Sequence, residues 1–318
     1  MRPTGKMQLG NLLGAVENWK RLQEEYESFF FIADWHALTT NYADTKDLMA
    51  SKQDLLVDLL AAGLDPEKCT IFEQSKVLEH AELFVYLSMI TPVPWLERNP
   101  TYKEQMENIT DKDLTNFGFL GYPVLQAADI LIYRAHSVPV GMDQVPHLEL
   151  TREIARRFNT LYGEVFPEPQ AILTETPKLP GLDGRKMSKS YGNAIYISDS
   201  PEEVRKKIKV MITDPARVKR TDPGDPAVCA AFVLHSVYTD KAEIPQIQAE
   251  CRAAMRGCVD CKKRLSDFML EQLEPVYVSR LELIARPDYL RDVIEAGNAR
   301  ARQAAQETMA LVRKAIGI

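Results

Sequence analysis

The sequence predicts an α/β protein: a Rossmann-like doubly wound parallel sheet with a mainly helical C-terminal domain. Three observations carry that prediction. Strand-sized apolar runs alternate with stretches of helical periodicity through the first half of the chain, the pattern that builds parallel sheets. From Pro201 onward the periodicity is mainly helical. At 318 residues, 45% hydrophobic and 26% charged, the chain is long enough for one large α/β domain and a smaller companion.

The elements follow in order. A Pro3-Thr4-Gly5 turn precedes a helix over Gly10 to Glu24, where Leu12, Leu13, Val16, Trp19 and Leu22 recur at helical spacing. Ser28 to Asp34 reads as a buried strand, Thr45 to Ala62 as an amphipathic helix and Thr70 to Gln74 as another short strand. After Pro92-Val93-Pro94 the pattern is helical and more polar to about Leu120, then apolar from Tyr122 to Tyr133. Ser137 to Val140 is the next strand candidate, ending at Gly141, and a helix over Leu148 to Phe158 follows. A Pro-rich irregular stretch through Pro167, Pro169, Pro177 and Pro180 leads to a lysine-bearing loop. The helical part breaks near Thr221 to Pro226 and again around a cysteine group. The domains are therefore a sheet domain over 1–195, with a helical insertion at about 95–120, and a helical domain over 196–318. There is no internal repeat or low-complexity tract.

Composition excludes several classes. The apolar runs, such as Phe29-Phe30-Phe31-Ile32-Ala33, are far too short to cross a bilayer, and Met1 to Gly5 lacks the features of a secretory leader. The expected compartment is cytoplasmic, with no membrane partner. Net charge is 39 − 45 = −6, which argues against a surface uniformly built for nucleic acid. A local patch of Arg205, Lys206, Lys207, Lys209, Arg217, Lys219 and Arg220, interrupted only by Asp214, could hold a polyanion or be an ordinary solvated helix face.

Two segments suggest nucleotide chemistry. In Pro3-Thr4-Gly5-Lys6-Met7-Gln8-Leu9-Gly10-Asn11, glycines permit close approach to the backbone and a helix start offers unpaired amides to phosphates. Alone, such a segment is most often just a turn. Lys186-Met187-Ser188-Lys189-Ser190 adds two lysines and two hydroxyls between Gly181, Gly184 and Gly192. Lysine ammoniums can follow charge as it builds on a pyrophosphate.

Together the two segments resemble the paired signature of class I aminoacyl-tRNA synthetases. The resemblance implies ATP contacts from Arg2, Pro3, Thr4, Gly10, Asn11, Gly141, Met142, Asp143, Lys186, Met187, Ser188, Lys189 and Ser190, with Mg²⁺ sharing the phosphate charge. It implies catalytic work for Lys186, Lys189, Gln8 and Thr4. No enzyme nucleophile is needed, so catalysis rests on positioning and charge stabilisation. Gln8 and Asn11 stand where the family often has histidines, and Gln105 in Tyr102-Lys103-Glu104-Gln105 stands where some relatives carry a second lysine. Relatives begin with a short strand and a serine-glycine ahead of the turn, so a missing N-terminal segment is expected here, exposing sheet edges and apolar surface.

The segment Tyr122 to Leu131 sets Asp129 among apolar residues, and a buried acid needs a donor. The bland alternative is a structural carboxylate bonded to backbone amides. The segment is similar to the tryptophan-binding helix of tryptophanyl-tRNA synthetases, where the matching aspartate accepts the donor-only indole N–H. That likeness puts Tyr122 and Gln144 near the substrate α-amino group and Gln126, Ile130, Val138 and Val140 around the ring. Gly141 and Asp143, at the carboxyl end of a strand, would receive the ribose. His36 and His147 receive no role. Tyrosyl-tRNA synthetase, a synthetase-like protein that binds tRNA without catalysis, and a small-molecule nucleotidylyltransferase are the rival readings.

Cys229, Cys251, Cys258 and Cys261 group with the spacing C-x21-C-x6-C-x2-C, while Cys69 stands apart. In a reducing compartment such a group suggests a metal over disulfides, zinc being the default, with four unrelated buried thiols as the alternative. Cys258-Val259-Asp260-Cys261-Lys262 looks like the matching segment of the tryptophanyl-tRNA synthetases that carry a 4Fe–4S cluster in a helical anticodon-binding domain. The resemblance implies such a cluster with all four cysteines as ligands, near tRNA contacts from Arg252, Arg256, Lys262, Lys263 and Arg264. It also implies tRNA(Trp), L-tryptophan and ATP as partners, and a homodimer.

Overall fold

The computed structural model describes residues 1–108, 113–173 and 178–318, without the side chains of Gln105, Asn108 and Ser190. Part of the expected insertion, Pro177 of the Pro-rich stretch and the side chains of Gln105 and Ser190 thus lie outside the described residues.

After the Pro3–Gly5 turn, α1 (Leu9–Asn11) runs through a π turn (Leu12–Val16) into α2 (Glu17–Leu22) as one helical segment. Then come β1 (Ser28–Ile32), α3 (Asp34–Asn41), α4 (Leu48–Ala61) and β2 (Cys69–Glu73). The helices α5 (Glu79–Ile90), α6 (Val93–Glu97), α7 (Pro100–Asn108) and α8 (Phe117–Leu131) lead to β3 (Ser137–Val140). The sheet part ends with α9 (Val145–Tyr162) and β4 (Gln170–Leu173). Beyond the lysine loop lie α10 (Pro201–Val210), α11 (Ala230–Tyr238), α12 (Ile244–Arg252), α13 (Cys258–Ile284) and α14 (Pro287–Ile316).

The strands are parallel, as the alternation with helices predicts, but among the described residues they form two two-stranded ladders. Ser28 to Ile32 pair with Cys69 to Glu73, and Ser137 to Val140 with Gln170 to Leu173. A cavity of ≈ 850 Å³, lined by Phe29 and Phe31 of β1, Val138 and Pro139 of β3 and Thr308 and Leu311 of α14, lies between them. Met1 flanks β1: its amine donates to the Phe31 carbonyl at 2.5 Å, and its carbonyl accepts from the Ala33 N–H at 2.8 Å. The strand β4 falls in what the sequence reads as irregular, because it is four residues long, follows Pro167 and Pro169, and buries neither face fully.

Local chemistry sets the helix ends. Ser200 accepts from the Glu203 N–H while the Glu203 side chain returns to the Ser200 N–H, a capping box reinforced by Pro201. Asn116 caps α8 by accepting from the Phe119 N–H.

Two large apolar clusters, with a small third around Phe119, hold the described residues together. One joins Leu9, Leu12 and Val16 to Leu55, Leu59 and Ile71 and continues through Ile195 and Ile208 to Leu234, Met269 and Leu273. The other gathers Phe72, Leu83, Leu87, Val124, Leu131, Ile154 and Phe158 with Ala301, Ala305 and Met309 of α14. Each fully buried Leu, Ile or Phe contributes about 1.5–3 kcal/mol. The last helix therefore packs against β2 and α5, and does so closely: a Cβ on Gly297 would stand 1.7 Å from the Ile71 carbonyl oxygen.

Candidate active site

The N-terminal turn is pinned from two directions. Gly5 has a φ of +91°, a conformation that favours glycine. Its flank is stitched to the segment after the lysine loop, with Leu9 N–H donating to the Ile195 carbonyl at 3.1 Å and Ile197 N–H to the Met7 carbonyl at 3.1 Å. Gln8 bridges Tyr196 antiparallel, and its Oε1 is buried without a hydrogen bond among the described residues.

The lysine loop is built around Asn193. Its Oδ1 accepts from the Ser188 N–H at 2.8 Å, while Nδ2 donates to Asp183 Oδ1 at 2.6 Å and to the Lys186 carbonyl at 3.3 Å. Gly181 makes room for it, since a Cβ there would stand 2.3 Å from the Asn193 amide. Met187 is buried and anchors the loop, whereas Lys186 is exposed. Lys189 Nζ donates to the carbonyls of Thr4 and Gly5, each at 3.1 Å, and burial lowers its pKa. Sequence reasoning missed Asn193 and Asp183. The Gly184 and Gly192 turns, both at positive φ, were the available signal that a tight hairpin surrounds the lysines.

A cavity of ≈ 610 Å³ opens at the carboxyl ends of β1 and β3. Its walls include Tyr122, Gln126, Asp129, Ile130, Val138, Val140 and Gln144, all the residues anticipated around an amino acid. They also include Arg2, Gly10, Asn11, Gly141 and Asp143 from the anticipated nucleotide set. Pro3, Thr4, Gln8, Met142, Lys186, Met187, Ser188 and Lys189 are outside the lining, Met142 being 69% exposed. A Cβ on Gly141 would come within 2.7 Å of Asp143 Oδ1, so the Asp143 side chain would have to swing aside. The other Asp143 oxygen accepts from Gln144 Nε2 at 2.8 Å.

Asp129 is not the lone carboxylate that its sequence context suggests. His36 Nε2 meets Oδ2 at 2.7 Å, His80 Nδ1 meets Oδ1 at 2.7 Å, and Gln74 Nε2 donates to both oxygens at 2.8 and 3.0 Å. Burial works to raise the Asp129 pKa, but His36 and His80 overcome it and hold the carboxyl well below the usual range. An ionised acid requires N–H donors, so His80 presents Nδ1–H to it and Nε2 accepts from the Tyr133 hydroxyl at 2.7 Å. His36 also lines the cavity, so an indole N–H would share or displace its place on Oδ2.

His147 is fixed in the same way. Asn99 Oδ1 accepts from the Thr101 N–H, which orients Nδ2 toward His147 Nδ1 at 3.2 Å. Nε2 therefore carries the proton and donates to Tyr122 Oη at 3.1 Å. The Tyr122 hydroxyl keeps its own proton and a lone pair for the cavity. Burial lowers His147 to about 4 and raises the Tyr122 phenol.

The four grouped cysteines lie in one neighbourhood: burial first, then the charges of Cys229, Cys251 and Cys258, push Cys261 up to about 12. Cys251 is raised by burial and feels Cys229 and Cys258 in turn. Arg217 Nη1 approaches Cys251 Sγ at 3.8 Å and His235 Nε2 approaches Cys261 Sγ at 3.3 Å. Among the described residues no group of three or more His, Cys, Asp or Glu is arranged to hold a metal ion. Cys69 is remote and donates to the Asp65 carbonyl at 3.2 Å.

Much of the basic patch is engaged within the fold. Arg205 pairs with Asp267, Lys206 with Glu202 and Lys207 with Asp199, while Arg217 holds the Arg220 and Arg256 carbonyls. Arg256 and Arg264 pair with Glu250 and Glu243. Lys209, Lys219, Arg220, Arg252 and Lys263 are exposed. Among the described residues no helix is long and apolar enough to cross a membrane.

Comparison with known proteins places this arrangement. The family model described as tRNA synthetases class I (W and Y) matches residues 1–274. A tryptophan–tRNA ligase of Thermotoga maritima is 54% identical over 320 residues, covering 100% of this chain and 98% of the relative. One from Aquifex aeolicus is 46% identical over 388 aligned residues, with 100% and 98% covered. The crystal structure of tryptophanyl-tRNA synthetase from Campylobacter jejuni complexed with ADP and tryptophan superposes with a TM-score of 0.89 at 33% identity, covering 100% of this chain and 98% of that one. The chain belongs to the class I tryptophanyl-tRNA synthetases, the tryptophan–tRNA ligases.

Proposed function

We propose that the ≈ 610 Å³ cavity holds L-tryptophan and ATP side by side and forms tryptophanyl-adenylate there before transfer to tRNA(Trp). The observation that carries this reading is the joint lining. Asp129, Tyr122 and Gln144, anticipated for the amino acid, and Gly10, Asn11, Gly141 and Asp143, anticipated for the nucleotide, line one space. Asp129 accepts the indole N–H, Ile130, Val138 and Val140 flank the ring, and Tyr122 and Gln144 receive the α-amino group. Gly141 and Asp143 take the ribose.

The tryptophan carboxylate oxygen attacks the α-phosphorus, and the bond to pyrophosphate breaks. Lys186 and Lys189 neutralise the charge gathering on the leaving pyrophosphate, and Gln8 and Thr4 orient the phosphates. Mg²⁺, when bound, shares that charge. A terminal ribose hydroxyl of the tRNA then attacks the adenylate carbonyl and releases AMP.

Residues 196–318 are the proposed anticodon end, with exposed Lys209, Lys219, Arg220, Arg252 and Lys263 toward the tRNA backbone. A 4Fe–4S cluster on Cys229, Cys251, Cys258 and Cys261 is supported by the donor chemistry, four partly buried thiols in one neighbourhood. Zinc on the same four thiols is the alternative occupant. The cluster's part is structural, since neither step moves electrons. A homodimer is supported by Leu78, Val85 and Met89, which recur at one-face spacing and are 67%, 44% and 75% exposed. The work takes place in the cytoplasm.

Charging of tRNA tests the reading: purified protein with ATP, tryptophan and tRNA(Trp) yields tryptophanyl-tRNA. Adenylate formation without any charging would reduce it to a small-molecule nucleotidylyltransferase.

A further inference from the structure

Helix α13 carries Cys258 and Cys261 at its start and Arg280 near its end. Arg280 is buried and faces α4, with Nε donating to Asp58 Oδ1 at 2.7 Å and Nη2 to Asp54 Oδ1 at 2.8 Å. The remaining Asp58 oxygen, Oδ2, accepts the backbone N–H of Met7 at 3.2 Å. One carboxylate, 1% exposed, thus ties a C-terminal side chain to the backbone of the N-terminal turn. Lys189, which grips Thr4 and Gly5 from the other side, lies near enough to feel the Asp58 charge. Burial raises the Asp58 pKa while Arg280 and the Met7 amide pull it down, so the carboxylate depends on its guanidinium partner to stay an ionised acceptor.

We infer that Arg280 is a positioning residue for ATP: it cancels the Asp58 charge and holds the free oxygen on the Met7 amide, so the turn keeps the shape that receives the triphosphate. The inference rests on the reading of Pro3 to Asn11 as the nucleotide turn. A guanidinium suits the task because its planar fork reaches Asp54 and Asp58 together, which a point-like ammonium does less well. The link crosses 222 residues of sequence, so the ATP site is braced by the helix that also bears two of the grouped cysteines.

The test is tryptophan-dependent ATP–pyrophosphate exchange, with ATP and tryptophan titrated separately and active sites counted. Arg280→Met raises KM for ATP about tenfold, the size of one lost charge-assisted hydrogen bond, and leaves KM for tryptophan within about twofold. Arg280→Lys, which keeps the charge and loses the fork, raises it about threefold. An arginine that only stabilises the fold would lower the melting temperature and the active-site count while sparing both KM values, or would move both together. Either result overturns the inference. Should Arg280→Met not fold, an unchanged ATP KM in Arg280→Lys overturns it equally. Asn11→Ala separates the two levels: if it raises KM for ATP and the Arg280 variants do not, the bracing role fails and the turn stands. If neither does, both fail.

Discussion

Lys189 Nζ donates to the Thr4 carbonyl at 3.1 Å across 185 residues of sequence, so the lysine loop and the N-terminal turn act as one unit. Phosphate oxygens would compete with those carbonyls for the same ammonium. Lys189→Met lowers kcat for adenylate formation by about 10²-fold, the scale of one lost charge-stabilising donor, with KM for tryptophan nearly unchanged. Rapid-mixing measurement of the first turnover checks this, and an unaltered burst rate would show that the lysine is only a loop fastener.

Asp129 receives His36, His80 and Gln74, and its carboxyl titrates well below the usual range. Asp129→Asn introduces an amide donor facing those N–H groups and lowers kcat/KM for tryptophan by about 10²-fold, on the order of 2–3 kcal/mol. Discrimination against benzothienylalanine, which lacks the ring N–H, collapses toward unity in the variant. Undiminished discrimination would remove Asp129 from indole recognition.

Burial holds His147 at about 4 in the native state, while an unfolded histidine titrates near 6.5. Below about pH 6.5 the unfolded chain takes up a proton that the native state refuses until pH approaches 4, so stability is lost as pH falls through that window and not above it. The loss is at most about 3 kcal/mol. Urea unfolding at several pH values should show a flatter decline for His147→Gln than for the parent. Parallel curves would mean that the imidazole is not excluded from protonation.

Two glycines separate packing from binding. A Cβ at Gly297 meets the Ile71 carbonyl at 1.7 Å, whereas one at Gly10 meets only Gln8 Nε2, at 3.9 Å. Gly297→Ala therefore costs about 1–3 kcal/mol or more of stability. Gly10→Ala changes stability by less than about 0.5 kcal/mol and weakens ATP binding. Thermal unfolding and ATP titration of both variants distinguish them, and equal melting losses would refute the contrast.

Anaerobically purified protein should absorb in the visible blue, with iron and sulfide in matching amounts. Cys258→Ser abolishes that absorbance and lowers the melting temperature while adenylate formation continues, and Cys69→Ser changes none of these. Stoichiometric zinc without iron would overturn the cluster.

Local pattern made most elements legible. The runs at Ser28 and Ser137 become β1 and β3, and the apolar positions from Leu12 to Leu22 mark one helical face. The strand β4 escaped because exposed, four-residue strands carry no alternation strong enough to read. The π turn over Leu12–Val16 has no compositional mark at all. At the site, Asp129, Tyr122, Gly141 and the lysines stand out as residue types in suggestive places. Their partners do not: His80 reaches Asp129 across 49 residues, Asn193 looks like ordinary loop asparagine, and Arg280 reaches Asp58 across 222. Such pairings depend on tertiary packing, which spacing along a chain does not encode.

The most direct test of the account is ATP–pyrophosphate exchange by this chain with tryptophan and tyrosine compared at equal concentration. Exchange that requires tryptophan, with tyrosine at background, is the predicted result. Exchange supported equally by tyrosine, or independent of either amino acid, would contradict the assignment of the ≈ 610 Å³ cavity to indole and adenylate together.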